Sequence, residues 1–138
     1  MLRGLTTAAY PVADFEGATR WYTELLGVEP YFNTPAYVEF RIGDYQHELG
    51  LLNAAFLGEL GGQEASTAPG GVILYWHVDD IEASIARLVE LGATVHQPPR
   101  DFSDEGYIGA SVIDPFGNIL GIMQNPHYLE VLASMAER

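Results

Sequence analysis

The sequence predicts an α+β protein of two tandem βαβββ modules, forming a curled, cup-shaped mixed sheet with its helices outside. Three observations predict it. A capped amphipathic helix is written twice, in "VADFEGATRWYTELLGVEP" from Val12 and in "VDDIEASIARLVELGATV" from Val78. Each copy follows one strand-like run and precedes several more. A stretch rich in Gly, Ala, Ser and Pro separates the two halves.

Taken in order, Leu5 to Val12 reads as the first strand. Asp14 can then cap a helix by accepting backbone N–H bonds. Phe15, Ala18, Trp21, Tyr22, Leu25 and Leu26 follow at the spacing of one buried helical face. Gly27 ends it, because only glycine takes the left-handed conformation at little cost. A short extended piece near Glu29 to Phe32 comes next. Then "YVEFRIGDYQHELGLL", Tyr37 to Leu52, reads as a hairpin turning at Gly43-Asp44. The second half repeats the order. Gly71 to Val78 is a strand, and Asp80 caps a helix that turns Ile81, Ile85, Leu88, Val89 and Leu91 inward and stops at Gly92. Thr94 to Gln97 is extended. "YIGASVIDPFGNILGIM", Tyr107 to Met123, is a hairpin turning through Asp114, Pro115, Phe116 and Gly117. Asn125 and Pro126 open a C-terminal helix. The expected organisation is a single domain over 1–138, with modules at about 1–56 and 71–124, a linker at about 57–70 and a last helix at about 126–137.

Composition narrows the partners. The chain has 138 residues, 48% of them hydrophobic, which supports a sizeable core. Nineteen acids against 6 basic residues give a net charge of −13, a surface that repels phosphate backbones and favours cationic ligands. Nucleic acid and membrane are not expected as partners, since no apolar run is long enough to span a bilayer. Zero cysteines exclude disulfides and thiolate chemistry. With no apolar signal stretch at the N-terminus, the expected location is cytoplasmic. Half-modules leave sheet edges to protect, so a homodimer is expected.

The phrase V-x-D-x-x-x-A-x-x-W-Y-x-x-x-L-G (Val12 to Gly27) and the late D-P-F-G-N (Asp114 to Asn118) resemble the vicinal oxygen chelate superfamily. That group contains glyoxalase I, extradiol dioxygenases and the fosfomycin- and bleomycin-resistance proteins. The resemblance covers nearly the whole chain. It implies a cup that, in metal-dependent members, holds a divalent ion such as Zn, Ni, Fe or Mn on ligands from the first and fourth strands of each module. Placed on this sequence, those positions are Thr7, Glu48, Ile73 and Gly121. Only Glu48 is a competent donor, and one carboxylate does not hold a catalytic metal tightly. The expectation is therefore no bound cofactor.

A two-residue turn at Gly43-Asp44 would pair Ile42 with Tyr45, Arg41 with Gln46, Phe40 with His47 and Glu39 with Glu48. Paired residues share a sheet face. Val38, Phe40, Ile42, Tyr45, His47 and Leu49 then face the helix, while Tyr37, Glu39, Arg41, Gln46 and Glu48 line the cup. Three roles for Glu48 stand open: a general base, an acceptor for a cationic or hydrogen-donating ligand, or a structural carboxylate paired with Arg41. Of the histidines, His47 and His77 could join Glu48 in a metal site only if both faced its way. His96 and His127 lie beside prolines and point to nothing. Tyr75 is the candidate cup floor, with His77 at its rim and Tyr107 and Met123 adding aromatic and soft apolar surface. Ser84 and Ser111 have no His-acid partner. The ligand expected is a small organic molecule held by Tyr37, Glu39, Arg41, Gln46, Glu48, Tyr75, His77, Tyr107 and Met123, with Glu48 the catalytic candidate. The alternatives are a metal-dependent lyase or dioxygenase with a rearranged site, and a non-catalytic drug-binding resistance protein.

Overall fold

The computed structural model describes residues 1, 3, 5–56 and 68–137. The chain divides into two compact units, residues 1–66 and 67–138. The first contains β1 (Thr7–Val12), α1 (Phe15–Leu26), β2 (Phe32–Asn33), β3 (Tyr37–Ile42), β4 (His47–Asn53) and a 3₁₀ turn at Ala54–Phe56. The second contains β5 (Leu74–His77), α2 (Ile81–Glu90), β6 (Thr94–Asp101), β7 (Ile108–Ile113), β8 (Ile119–Gln124) and α3 (Pro126–Ala136). Each unit has one open four-stranded mixed sheet, ordered β1-β4-β3-β2 and β5-β8-β7-β6. The α+β class and the repeated βαβββ order expected from the sequence are thus present. Most of the expected linker, residues 57–67, lies outside the described residues. No helix among the described residues is long and apolar enough to cross a membrane.

Helix α1 forms where its signals stand. The Asp14 carboxylate accepts from the Gly17 N–H at 3.0 Å, and Gly27 closes the helix at φ 68° with its N–H on the Thr23 carbonyl. Ala18, Trp21 and Tyr22 are buried along one stripe, and Trp21 meets Tyr22 edge to face with centroids 4.8 Å apart. They pack over Tyr10, Val12, Val38, Phe40, Leu49 and Leu51, the apolar face of the first sheet. Burying each such side chain contributes about 1.5–3 kcal/mol before entropy is charged against it.

The first hairpin departs from the two-residue turn the sequence suggests. The observed pairs are Ile42 with His47, Arg41 with Glu48, Phe40 with Leu49, Glu39 with Gly50 and Tyr37 with Leu52. A two-residue type I′ turn needs positive φ at both central residues. Here positive φ falls on Gly43 and Gln46, so a four-residue loop closes the hairpin, and Gln46 donates from both its backbone N–H and its side chain to the Gly43 carbonyl. Gln46 therefore sits in a turn and lines no sheet face. Tyr45 likewise leaves the strand and stacks on His47 at 5.7 Å. Glu48 faces Arg41 directly, and Glu39 is opposite Gly50. The slip is two residues, so the side-chain faces assigned to the strands survive it.

In the second unit, Asp80 accepts from the Ala83 N–H at 3.0 Å and Ile81 and Leu88 are buried. Val89, read as inward, is 47% exposed, because it falls at the margin of that stripe in the last turn. Strand β6 runs past Gln97 through Pro98 and Pro99 to Asp101, with register shifts either side of Gln97. It is a sheet edge, where residues lacking an N–H are tolerated. Val112, Leu120 and Ile122 form the buried layer on the helix side. His77 ties the end of β5 to α3: its Nδ1 accepts from the Asn125 N–H at 3.2 Å, and its ring stacks on Tyr128 at 4.6 Å.

The β7–β8 turn rests on Asp114, which is 3% exposed. Its Oδ1 accepts from the N–H groups of Phe116 and Asn118 at 2.9 and 2.8 Å, and its Oδ2 from the Asn118 side chain at 3.2 Å. Removing a charged acceptor would leave part-buried donors without their partner. Asp114→Ala should therefore lower stability by about 2–3 kcal/mol, and Asp114→Asn, which keeps one acceptor oxygen, by less. Urea denaturation midpoints of the two variants against the wild type measure this.

Candidate functional site

Alternation along the first sheet leaves one face toward α1 and one away from it. The second face carries Thr7 on β1, Glu48, Gly50 and Leu52 on β4, and Tyr37, Glu39 and Arg41 on β3. Thr7 and Glu48 are direct register partners across the parallel β1–β4 pair, and the Thr7 hydroxyl donates to Glu48 Oε2 at 2.6 Å. The other oxygen of Glu48 lies 3.7 Å from Arg41 Nη2, an ion pair too long to be a hydrogen bond. The side chain of Arg41 is 50% exposed and its guanidinium sits 4.9 Å from the Tyr31 ring centroid, a cation–π contact.

Glu39 is held differently. The Tyr37 hydroxyl donates to its Oε1 at 2.5 Å and the Tyr31 hydroxyl donates to its Oε2. Tyr37 reaches there because Gly50 has no side chain. A Cβ on Gly50 would stand 2.3 Å from the Tyr37 hydroxyl and 2.4 Å from its ring. Phe32 lies beside Tyr37 with centroids 6.3 Å apart. The two carboxylates thus have unlike duties. Glu39 has a phenol on each oxygen, whereas Glu48 has the Thr7 hydroxyl on one oxygen and the half-exposed Arg41 guanidinium 3.7 Å from the other.

Of the residues the sequence nominates, the structure brings together Tyr37, Glu39, Arg41 and Glu48, with Thr7 added as a hydrogen-bond donor to Glu48. Gln46 is in the turn. Tyr31 was not nominated. It precedes β2, which is two residues long, and no alternation can be read from so short a piece; its adjacency to Phe32 in "PYFN" is the only local signal. Tyr75, His77, Tyr107 and Met123 belong to the second unit. His77 has both ring nitrogens engaged, Nε2 lying 3.1 Å from Asp79 Oδ1 and Nδ1 on the Asn125 amide. Met123 accepts from the Asn125 side chain at 3.7 Å, and the Tyr107 carbonyl accepts from the Phe102 N–H. Tyr75 lies over Gly121, where a Cβ would meet its ring at 2.7 Å. A hollow of about 490 Å³ in the first unit lies elsewhere, at the start of α1 between Asp14, Phe15, Pro35 and Phe56, and includes none of the Glu48 group.

Register also sets the two units in correspondence. Tyr75 pairs with Gly121 as Ala9 pairs with Gly50, so "ELGLL" (Glu48 to Leu52) matches "ILGIM" (Ile119 to Met123). The counterpart of Glu48 in the second unit is therefore Ile119, and Gly121 is the counterpart of Gly50. Like Ile73, Ile119 offers no donor atom. Within neither unit do three Asp, Glu or His side chains stand together to hold a metal ion, among the described residues. Thr7 and Glu48 are bonded to each other. The donor set does not fit the metal centre that the family's metal-dependent members build.

A capped βαβββ unit repeated once, with a polar and aromatic sheet face opposite the helix in the first unit, defines a tandem-module protein of the glyoxalase type. Residues 4–122 match the model of the Glyoxalase/Bleomycin resistance protein/Dioxygenase superfamily, and the chain belongs to that family, the vicinal oxygen chelate group. Among solved structures it is similar to a glyoxalase-related enzyme from Fulvimarina pelagi, at 25% identity and TM-score 0.74, over 91% of this chain and 90% of that one. A glyoxalase/bleomycin resistance protein/dioxygenase family enzyme from Burkholderia phytofirmans PsJN shares the fold at 15% identity and TM-score 0.70, over 86% and 95% of the two chains. Lactoylglutathione lyase from Agrobacterium tumefaciens does so at 19% identity and TM-score 0.67, over 89% and 94%. No curated protein matches the sequence.

The phenols give this face a signature in alkali. Burial first, then the bond to Glu39 and its charge, push the Tyr37 hydroxyl well above the usual phenol value of 10.0. The bond to Glu39, ahead of burial, raises Tyr31. The folded state thus favours the protonated phenols. That stabilisation is complete below about pH 10, where unfolded tyrosine titrates, and is lost as pH rises from there through the folded values. Absorbance titration at the phenolate band should show a late-ionising component among the 8 tyrosines. Tyr37→Phe should delete the latest step, and ionisation of all tyrosines together near pH 10 would contradict the arrangement.

Proposed function

We propose that this chain binds a small organic molecule on the open face of its first sheet, without a resident metal. Glu48 is the acceptor for a cationic or hydrogen-donating group of the ligand. Arg41 is the cation for any anionic group, and Tyr31, Tyr37 and Phe32 supply aromatic surface. The observation that supports this is the division between the two carboxylates: Glu39 is clamped by two phenols, while Glu48 keeps one oxygen beyond hydrogen-bonding distance of any neighbour among the described residues. Where a bound substrate brings an acidic proton to that oxygen, Glu48 acts as general base, with Thr7 holding the carboxylate in place. Sequestration and catalysis use the same contacts and differ only in turnover.

A thermal-shift screen of organic amines, aromatics and keto acids supplies the ligand for the test. Glu48→Gln keeps the volume and removes the charge, so folding should tolerate it. Titration calorimetry should then show affinity reduced roughly ten- to hundred-fold, the worth of a charge-assisted hydrogen bond, with melting temperature little changed. Unchanged affinity with a melting temperature several degrees lower would make Glu48 a structural partner of Arg41 and Thr7.

The metal-free part of the proposal has its own measurement. With Ile73 and Gly121 at two of the four family positions, protein purified without chelator should carry no stoichiometric Zn, Ni, Fe or Mn by elemental analysis. One tightly held ion per chain would favour a lyase or dioxygenase with a rearranged centre.

A further inference from the structure

The second unit carries a hollow of about 420 Å³ on the face of its sheet that bears Tyr75. This is within the range of small-molecule sites, roughly 300–1,000 Å³. Two aromatic rings lie in it, both against bare backbone. Tyr75 covers Gly121, and Phe102 covers Gly109, where a Cβ would stand 2.6 Å from Phe102 Cε2. Gly121 pairs with Ser111, two residues along β7 from Gly109, so both glycines present the same face. Yet the outer surfaces of the rings are uncovered: Tyr75 is 51% and Phe102 56% exposed. Large aromatic rings seated on bare backbone with about half their surface exposed offer apolar surface on which a ring can stack.

The rim supplies charge of one sign. Arg100 lines the hollow, with its guanidinium 5.5 Å from the Phe102 centroid. It forms no ion pair among the described residues, although acids outnumber bases 19 to 6 in the chain. The rim is also preset. Pro98 and Pro99 line it at the register shifts of β6, where their rings fix φ and remove the N–H groups that would zip the strand onto β7. A rigid rim lowers the ordering cost of binding.

We propose that this hollow binds a small planar aromatic carboxylate, its ring against Tyr75 and Phe102 and its carboxylate on Arg100. Stacking takes the ring, and the guanidinium fork matches a carboxylate in two parallel hydrogen bonds. The site does not use the Glu48 group, so it stands or fails apart from the function proposed for the first unit.

The test uses the whole protein and three probes of one shape: 2-naphthoate, 2-naphthylmethanol and 2-naphthylmethylammonium. Amide chemical shifts locate binding and titration gives affinity. 2-Naphthoate should move the amides of Gly109, Ala110 and Gly121 and bind about tenfold more tightly than the alcohol. Arg100→Gln should erase that tenfold preference and leave the alcohol unchanged. Phe102→Ala should weaken both probes. Arg87→Gln, on the exposed side of α2, removes the same charge and should change nothing. Three results would overturn the proposal: no shift at those three amides, equal or better binding of the alcohol or the ammonium, or wild-type affinity for 2-naphthoate in Arg100→Gln.

Discussion

What this protein can hold depends on a plain constraint: a β-strand points its side chains alternately to two faces, and a βαβββ unit has a helix for only one of them. The helix face must be apolar, and it is, in Val38, Phe40, Leu49 and Leu51. The other face is free of that demand. In the first unit it is filled with Thr7, Tyr37, Glu39, Arg41 and Glu48, five groups that would each be costly under a helix. The parallel pairing of β1 with β4 and the antiparallel pairing of β4 with β3 then bring residues far apart in sequence into one row. Thr7, Glu48 and Arg41 form such a row, three strands wide, without any loop having to place them.

Within that row the energetics separate positioning from availability. An exposed ion pair such as Arg41–Glu48 contributes about 0–1 kcal/mol, too little to justify two charges as a stability device. The phenol pair on Glu39 has a different character. It spans β3 and the segment leading into β2, and a half-buried Tyr37 holds it against the bare backbone of Gly50. Replacing Gly50 with any other residue would displace that ring and release Glu39. The glycine is thus a positional requirement of the carboxylate directly across from it on β3, although it carries no polar group itself.

The helices, their caps and the Asp114 turn were legible because each depends on residues within one turn of one another. Asp14 with Gly17, Asp80 with Ala83 and Asp114 with Asn118 need no tertiary knowledge. The sheet faces were legible for a subtler reason. The misjudged Gly43-Asp44 turn slipped the hairpin by two residues, and a slip of two preserves alternation. It did move Gln46 off the sheet and put Glu48 opposite Arg41 rather than Glu39. Tyr31 was illegible because its partner, Glu39, is fixed by the hairpin register and not by anything near Tyr31 in the chain. The reach of β6 through Pro98 and Pro99 was illegible for the opposite reason: local rules argue against two prolines in a strand, and only the edge position of β6 permits them.

The two halves show how one fold diverges. Their helix sides remain alike, capped by Asp14 and Asp80 and seated on apolar strands. Their open faces have parted. The glycine of the fourth strand is kept in both, as Gly50 and Gly121, and in both a tyrosine ring occupies the room it leaves, but the rings come from different strands: Tyr37 from β3 in one, Tyr75 from β5 in the other. Beside the glycine, Glu48 has become Ile119, and Thr7 has become Ile73. A polar row in the first unit is thus matched by an apolar one in the second, where the cation, Arg100, sits on the far edge strand. Family membership follows from what the halves share. A shared fold does not by itself set the chemistry of a member, and the open faces are where these halves differ.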